Sequence, residues 1–273
     1  MSNCSSCPSK GSCSKPQDQC GVTNNPLNQI NKVIGVMSGK GGVGKSSISV
    51  LIAKQLNKLG YKVGILDADV TGPSIPRLLH IIGQRAGSDG SNIIPVESQE
   101  GIKVMSINLM IDDETKPVAW RGPVVSGAIK QFWNEVLWGE LDYLIIDMPP
   151  GTGDVPLTVG QSIPVNGMVM VSIPQDFISM IVAKSINMVR MLNVKILGVV
   201  ENMSYIQCPD CDKKIHLFNG EDTQKFLDEM DVPLLGELPM VSSISNLANP
   251  KAVATDEGLD LIEPIVKQIL ENL

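Results

Sequence analysis

The chain has 273 residues, of which 43% are hydrophobic and 4% aromatic, and its formal net charge is -7 at pH 7. This length and composition fit one large α/β domain with an appendage. The acidic balance argues against nucleic acid or an anionic membrane as the main partner, and no apolar run approaches the length of a membrane span.

Residues 1–29 are predicted to form a flexible cysteine-rich extension, ahead of a folded domain at residues 30–273. The extension has almost nothing apolar to bury, so burial does not offset its ordering entropy, and it lacks the apolar core of a secretory signal. Its cysteines follow the pattern C-x2-C-x5-C-x6-C, which supplies enough thiolates for one iron–sulfur cluster or one zinc ion. Incidental thiols and two disulfides are the alternatives. These cysteines are Cys4, Cys7, Cys13 and Cys20.

Residues 38–46 read S-G-K-G-G-V-G-K-S and fit the phosphate-loop pattern G-x-x-x-x-G-K-[ST]. The pattern follows a predicted strand at residues 32–37 and opens a predicted helix that ends at Gly60; a plain glycine-rich turn is the alternative. Lys45 is expected to bind nucleotide phosphates and Ser46 to bind Mg²⁺. Because Lys45 reads as a loop residue, Lys45→Ala is expected to leave the fold intact. The predicted nucleotide-binding residues here are Gly39, Lys40, Gly41, Gly42, Val43, Gly44, Lys45, Ser46 and Ser47.

Carboxylates follow two further predicted strands. Residues 62–69 end in Asp67 and Asp69, and the buried run at residues 143–146 ends in Asp147. Ligands of an open parallel sheet bind at the carboxyl ends of its strands. We therefore expect Asp67 and Asp147 to serve Mg²⁺ and Asp69 to position the attacking water, with helix capping as the alternative for Asp67 and Asp69. The glycine-rich segment at residues 149–154 is a candidate switch.

The remaining pattern predicts a doubly wound, mostly parallel sheet with helices on both faces. It comprises a short strand pair at residues 93–96 and 102–107, a helix that follows residues 120–123 and runs to about Trp138, strands at 166–174 and 194–200, and a last helix at 259–270. Asn202 follows the late strand, where its amide is placed to hydrogen-bond a purine edge; a turn-forming role is the alternative.

Cys208 and Cys211 form a C-P-D-C sequence in a predicted loop flanked by Lys213, Lys214 and His216. Two thiolates alone complete neither a zinc site nor a cluster, whereas two subunits related by a two-fold axis bring four. A half-site shared across a dimer is the leading interpretation. An intramolecular metal site with His216 and an inert or disulfide-bonded pair are the alternatives.

Six motifs carry a family resemblance: G-K-G-G-V-G-K-S (39–46), L-D-A-D-V-T-G-P-S-I-P (66–76), W-R-G-P (120–123), D-M-P-P-G-T-G-D (147–154), V-V-E-N-M-S (199–204) and C-P-D-C. Together they resemble the Mrp/ApbC-like family of iron–sulfur cluster carrier ATPases, within the MinD/ParA/nitrogenase-iron-protein class with its deviant Walker A loop. The N-terminal cysteines also resemble the extension of the eukaryotic cytosolic members, although there the fourth cysteine lies upstream of the other three.

The resemblance implies a cytoplasmic homodimer that binds ATP with Mg²⁺ and hydrolyses it slowly. Such a dimer holds a [4Fe–4S] cluster between its subunits and delivers it to apo iron–sulfur proteins, with no nucleic acid or membrane as partner. In this class the extra lysine, here Lys40, reaches into the partner subunit's nucleotide site.

Three rival functions stay open at this point. A partitioning or positioning ATPase shares the loop but does not need Cys208 and Cys211. A nitrogenase-iron-protein-like reductase carries a cysteine in the segment that here spans residues 147–154, which has none. A zinc-binding adaptor leaves the intact phosphate loop unexplained.

Overall fold

The computed structural model describes residues 24–70, 72–111, 120, 122–174, 178–208, 210–211, 213–216, 223–249 and 257–273. Its strands are β1 (Gln29–Ser38), β2 (Val63–Asp67), β3 (Gly87–Ser88), β4 (Ile93–Ile94), β5 (Val96–Glu97), β6 (Lys103–Met105), β7 (Glu140–Asp147), β8 (Gly167–Ser172), β9 (Ile196–Gln207), β10 (Lys214–Ile215) and β11 (Leu234–Pro239). Its helices are α1 (Lys45–Lys58), α2 (Ile75–Leu78), α3 (Gly122–Glu135), α4 (Asp154–Ser162), α5 (Ile178–Met191), α6 (Thr223–Glu229), α7 (Ser242–Ser245) and α8 (Glu257–Glu271), and a 3-10 turn covers Ile107–Leu109.

The central sheet has the order β10-β9-β8-β1-β7-β2-β6-β5, and β11 pairs with β9. Strands β6, β2, β7, β1, β8, β9 and β11 are mutually parallel, whereas β5 and β10 join the two ends in antiparallel orientation. The chain leaves β1 toward β2 on one side and later returns to β8 on the other. The carboxyl end of β1 is therefore the point where the strand order reverses, which is the usual ligand site of such sheets.

Two hydrophobic cores cover the two faces of this sheet. Ile34 and Val36 of β1 belong to one core, together with α1 and α8, while Val33 and Met37 belong to the other, together with α3, α4 and α5. Successive side chains of a strand point to opposite faces, so a strand covered on both sides must be apolar throughout. Helices on both faces confirm the doubly wound α/β fold.

Several element bounds differ from the sequence-based expectation. The expected strand at residues 93–96 is split into β4 and β5. Of these two, β4 pairs with β3, whereas β5 pairs with β6. Pro95 lies between β4 and β5 and has no backbone N–H to donate. Helix α3 ends at Glu135, and Trp138 is fully buried beyond it.

The first strand begins at Gln29, the last residue of the predicted extension. Residues 24–28 also pack on the domain: Asn25 is buried, and Asn28 Nδ2 donates to the Val136 carbonyl at 2.9 Å. Residues 1–23 of the expected flexible extension, with Cys4, Cys7, Cys13 and Cys20, lie outside the described residues.

In the part of the chain that the structure describes, no helix is both long and apolar enough to cross a bilayer.

Candidate functional site

The predicted phosphate loop joins β1 to α1 at the carboxyl edge of the sheet. Gly42 and Gly44 have φ angles of 80° and 83°, in the left-handed region that glycine adopts at no steric cost. Gly44 caps α1, and its carbonyl accepts the first helical hydrogen bond from Ile48 N–H at 3.0 Å. The first-turn N–H groups of such a helix lack helical partners and favour an anion. The loop thus presents backbone donors to a phosphate.

Lys45 is the first residue of α1 rather than a loop residue, and only 6% of it is exposed. Its Nζ lies 2.7 Å from Asp147 Oδ2 and 3.9 Å from Asp69 Oδ2. The premise that Lys45 is a loop residue is therefore wrong, and we expect Lys45→Ala to lower the stability, because it removes the cation from a buried ion pair.

Asp147 accepts three hydrogen bonds at the end of β7, where it is completely buried. Its Oδ2 accepts from Lys45 Nζ and, at 2.6 Å, from Ser46 Oγ, while its Oδ1 accepts from Ser49 Oγ at 2.6 Å. Strand register places Asp67 directly beside it on β2. The structure thus brings together Lys45, Ser46 and the two aspartates predicted from separate motifs.

Asp67 is also completely buried. It accepts hydrogen bonds from Ser106 Oγ at 3.1 Å and from the backbone N–H of Asp69 at 3.2 Å and Ile75 at 3.4 Å. Burial, followed by the negative charge of Asp147, raises the pKa of Asp67 to about 8, although Lys45 opposes the shift. Burial and the neighbouring carboxylate thus favour the protonated form of Asp67.

The oxygen atoms at this edge suit a hard divalent cation. Ser46, Asp67 and Asp147 supply hydroxyl and carboxylate oxygens, which Mg²⁺ prefers, beside the Lys45 ammonium group. A cleft of ≈ 270 Å³ opens above them. The donor set therefore fits a Mg²⁺-bound nucleotide. The cleft is lined by Ser38, Gly41, Gly42, Gly44, Lys45, Ser46, Ser47, Asp69, Ser74, Leu78 and Pro150.

The raised pKa of Asp67 predicts a pH-dependent stability. In the folded state the pKa is about 8 against an ordinary value of 3.8, so the folded protein holds an extra proton between these values. The stability that the proton contributes is complete below pH 4 and is lost as the pH rises toward 8. For the nucleotide-free protein, we expect the free energy of unfolding to fall between pH 5 and pH 8, measured by urea denaturation, and Asp67→Asn to flatten the slope.

Asp89→Asn is the control for this experiment, because Asp89 is exposed on a loop and its pKa is lowered by a hydrogen bond from the Asn92 side chain. It should leave the slope above pH 5 unchanged. An Asp67→Asn slope equal to that of the wild type would contradict the assignment.

Two serines of this site were not predicted from the sequence. Ser49 binds Asp147 from the second turn of α1, and Ser106 binds Asp67 from the end of β6. Both are completely buried. The available signal for Ser49 was a polar residue four positions after Lys45 on an otherwise apolar helix face. Ser106 carried no such local signal, because its partner is brought close only by strand pairing.

Asn202 lies within β9 rather than after it, and only 1% of it is exposed. Its Nδ2 donates to the carbonyl oxygen of Val43 at 2.9 Å, and its Oδ1 is buried with no hydrogen-bond partner among the described residues. In this structure the Asn202 side chain thus holds the phosphate loop through the Val43 carbonyl. The predicted contact with a purine edge stays a prediction.

Cys208 and Cys211 lie at the tip of the hairpin formed by β9 and β10. The Cys208 N–H donates to the Lys213 carbonyl at 3.1 Å, which closes the turn, and both cysteines are free thiols. A hydrogen bond from the Asp210 backbone N–H, followed by one from the Cys211 side chain, lowers the pKa of Cys208. The two sulfurs therefore lie together, and the turn favours the thiolate form that binds metals.

His216 does not join the two sulfurs. Its ring lies against Tyr205, with a centroid separation of 6.0 Å, and within the described ranges no group of three His, Cys, Asp or Glu side chains is placed to hold a metal ion. The described part of one chain thus offers a pair of thiols at this tip, without a third ligand.

Comparison with known proteins identifies the family. A family model described as ParA: NUBPL iron-transfer P-loop NTPase matches residues 29–273. The chain belongs to this family. Among the relatives of this NUBPL-family chain, the iron-sulfur cluster carrier protein of Clostridium perfringens is 45% identical over 288 residues that cover 100% of both sequences. The iron-sulfur cluster transfer protein NUBPL of Mus musculus is 44% identical over 243 residues, 88% of this chain and 72% of that protein.

A solved structure agrees with this NUBPL-family assignment. The nucleotide-binding protein of Archaeoglobus fulgidus, in complex with ADP and with cobalt, is 40% identical, superposes with a TM-score of 0.70 and covers 84% of this chain and 87% of its own. The resemblance to iron–sulfur cluster carrier ATPases and the P-loop NTPase fold are thereby confirmed. The family favours the carrier interpretation over the positioning-ATPase and reductase alternatives.

Proposed function

We propose that the protein is an ATP-hydrolysing carrier that holds a [4Fe–4S] cluster between two copies of the chain and transfers it to apo iron–sulfur proteins. The observation that supports this most directly is the pair of adjacent thiols on a hairpin of the same chain that carries a complete phosphate loop. The C. perfringens and mouse relatives are named for cluster carriage and transfer, and the A. fulgidus protein binds ADP.

The nucleotide site accounts for ATP binding and hydrolysis. The loop N–H groups and the N-terminus of α1 bind the phosphates, and Lys45 supplies a point charge to them. Lys45 is paired with Asp147 in this structure; bound phosphates would offer Lys45 an alternative anion, which frees that carboxylate. Ser46, Asp67 and Asp147 are the proposed holders of Mg²⁺, which neutralises charge on the transferred phosphoryl group. Asp69, only partly exposed beside Lys45, is the proposed group that positions the attacking water.

In this proposal the cluster is the cargo that the protein carries. A cubane cluster takes four thiolates, and one hairpin offers two, so a two-fold axis through the cluster supplies the second pair from an identical hairpin. A homodimer is thus part of the proposal. Thiolates persist in a reducing compartment, which supports a cytoplasmic location. Cys4, Cys7, Cys13 and Cys20 are proposed as a second site, separable from Cys208 and Cys211, for a cluster or zinc.

Lys40 is proposed to act on the nucleotide of the partner subunit. A cation supplied in trans stabilises the charge that develops on the transferred phosphoryl group. Lys40→Ala should therefore retain Mg-ATP binding and lose about 100-fold or more in hydrolysis rate. Phosphate release measured at saturating Mg-ATP tests this.

Lys62→Ala is the control for Lys40→Ala, because Lys62 is an exposed lysine that pairs with Glu140 at 2.8 Å near the opposite edge of the sheet. It should hydrolyse ATP at the wild-type rate. A wild-type rate in Lys40→Ala would rule out the role in trans.

A further inference from the structure

Strand β9 touches the phosphate loop directly. Asn202 Nδ2 donates to the Val43 carbonyl at 2.9 Å, and a β-carbon placed on Gly44 would collide with the same nitrogen. Asn202 is therefore in contact with two consecutive residues of the loop. A shift of the loop backbone must either break this hydrogen bond or move the Asn202 side chain with it.

The same strand is irregular immediately after this contact. Pairing of β9 with β8 ends at Glu201, which faces Ser172. On the β11 side, Glu201 faces Glu237 and Tyr205 faces Pro239, so that three residues of β9 oppose the single residue Leu238. Such a bulge bends a strand and frees it from the regular ladder.

Met203 stands at the middle of this bulge with a φ angle of 55°. The left-handed region is uncommon for residues other than glycine, and methionine has no side-chain hydrogen bond to favour it. A strained backbone position of this kind persists where the surrounding structure enforces it. The bulge thus has the character of a hinge.

Glu201 lies on the sheet side of that hinge and binds residues beyond it. Its carboxylate is 4% exposed and accepts hydrogen bonds from Ser204 Oγ at 2.8 Å and from Thr223 Oγ1 at 2.9 Å. Ser204 lies at the start of the segment that carries the cysteines, and Thr223 opens α6 after it. Ser204 and Thr223, the two ends of this segment, are therefore hydrogen-bonded to the same buried carboxylate.

Beyond the hinge, β9 leads directly to the cysteines. Ile206 and Gln207 pair with β10, and Cys208 follows at the tip. Asn202 and Cys208 are six positions apart, a span of about 20 Å for extended chain. Asn202, which contacts the nucleotide loop, and the thiol pair thus lie on one short piece of backbone with a single bulge between them.

We propose that Asn202 is a positioning residue that couples nucleotide occupancy of the phosphate loop to the geometry of Cys208 and Cys211 in the same subunit. Glu201 is the fixed anchor, and the hinge at Met203 passes a shift of Asn202 along the strand to Tyr205, which stays paired with Pro239, and on to the hairpin. The inference rests on the proposed function, which supplies the nucleotide and the cluster. It adds a path within one chain that couples the phosphate loop to the cysteines. Coupling of this kind is reciprocal, so occupation of the thiol pair must change nucleotide affinity by the same factor.

The test measures thiol reactivity and needs no cluster. In the metal-free full chain with Cys4, Cys7, Cys13 and Cys20 changed to serine, the rate of alkylation of Cys208 and Cys211 by iodoacetamide is compared with and without saturating Mg-ADP at one pH. The wild-type rate should change by about fivefold or more on nucleotide binding. In Asn202→Ala, at concentrations that saturate the variant, the ratio of the two rates should fall to about one.

Asn272→Ala is the matched control. Asn272 Nδ2 also donates to a backbone carbonyl of β9, that of Leu197 at 3.0 Å, but at the end remote from the phosphate loop. Its removal deletes the same kind of bond from the same strand, so a general loosening of β9 would appear in both variants. We expect Asn272→Ala to keep the wild-type ratio.

Met203→Gly tests the hinge while keeping the Asn202 amide, and it decides the matter if Asn202→Ala fails to bind Mg-ADP; it also removes the Met203 methyl group that lies beside Gly44. Glycine adopts both signs of φ readily, so a glycine hinge should transmit less and bring the ratio toward one. An unchanged ratio in an Asn202→Ala variant that binds Mg-ADP overturns the proposal; if that variant does not bind, an unchanged ratio in Met203→Gly overturns it. The proposal is also overturned if the two alkylation rates of the wild type are equal while calorimetry shows that Mg-ADP is bound. That result does not contradict the carrier function. Normal cluster transfer by Cys208→Ala instead refutes the carrier function, whatever the ratio.

Discussion

Cys208→Ala and Cys211→Ala are each expected to lose the bridging cluster and its transfer to an apo-protein, while Mg-ATP binding is retained. Each substitution removes two of the four thiolates from a site shared by two hairpins, and two ligands do not hold a cubane cluster. The nucleotide contacts lie outside this hairpin tip and keep their own partners. Anaerobic reconstitution followed by iron and sulfide analysis measures the loss, with a stoichiometry of about one cluster per two wild-type chains.

Cys20→Ala is the control, since Cys20 belongs to the extension and should leave the bridging cluster in place. Sedimentation of the reconstituted protein shows whether the cluster travels with a dimer. A monomer that carries a complete cluster at Cys208 and Cys211, or normal transfer by Cys208→Ala, would refute the shared site. The N-terminal cysteines would then become the working site.

Lys45→Ala is expected to abolish Mg-ATP binding and to lower the free energy of unfolding by about 3–5 kcal/mol. The loss of binding follows from the missing charge beside the phosphates. The loss of stability follows from Asp147, which keeps its two serine donors but loses the ammonium group 2.7 Å away in a fully buried position. Calorimetry with Mg-ATP and urea denaturation of the nucleotide-free protein measure the two effects separately.

Lys54→Ala is the matched substitution, because Lys54 also lies on α1 and pairs with Glu100 at 2.7 Å, yet Glu100 is 39% exposed. A pair with this much solvent access contributes about 0–1 kcal/mol, and nucleotide affinity should not change. Wild-type affinity for Mg-ATP in Lys45→Ala would remove the basis for the phosphate-loop assignment.

The nucleotide site was largely predictable because its signals are local. Gly44, Lys45 and Ser46 are consecutive, and their pattern already implies a strand before and a helix after them. The aspartates were predictable from their place at the ends of apolar runs, since parallel strands end at one edge. The C-P-D-C spacing likewise predicted two adjacent sulfurs.

What escaped prediction depends on contacts between distant parts of the chain. The burial of Lys45 follows from a partner about 100 positions away, and the bond from Asn202 to Val43 spans an even longer separation. The continuation of β9 through Asn202 to Gln207 could not be read from the run at residues 194–200, because a bulge interrupts the alternation on which strand prediction relies. The two hydroxyl bonds of Glu201 are likewise products of the fold.

The position of Glu201 brings the two ends of the cysteine-bearing segment together. Because this carboxylate holds both Ser204 and Thr223, the ends lie close to each other, and β9 stays paired with β11 as far as Tyr205. Insertions with neighbouring ends are the ones that a domain tolerates best. We therefore expect the hairpin tip to be replaceable: a hairpin of another length or ligand set, spliced between Tyr205 and Thr223, should leave the nucleotide site intact.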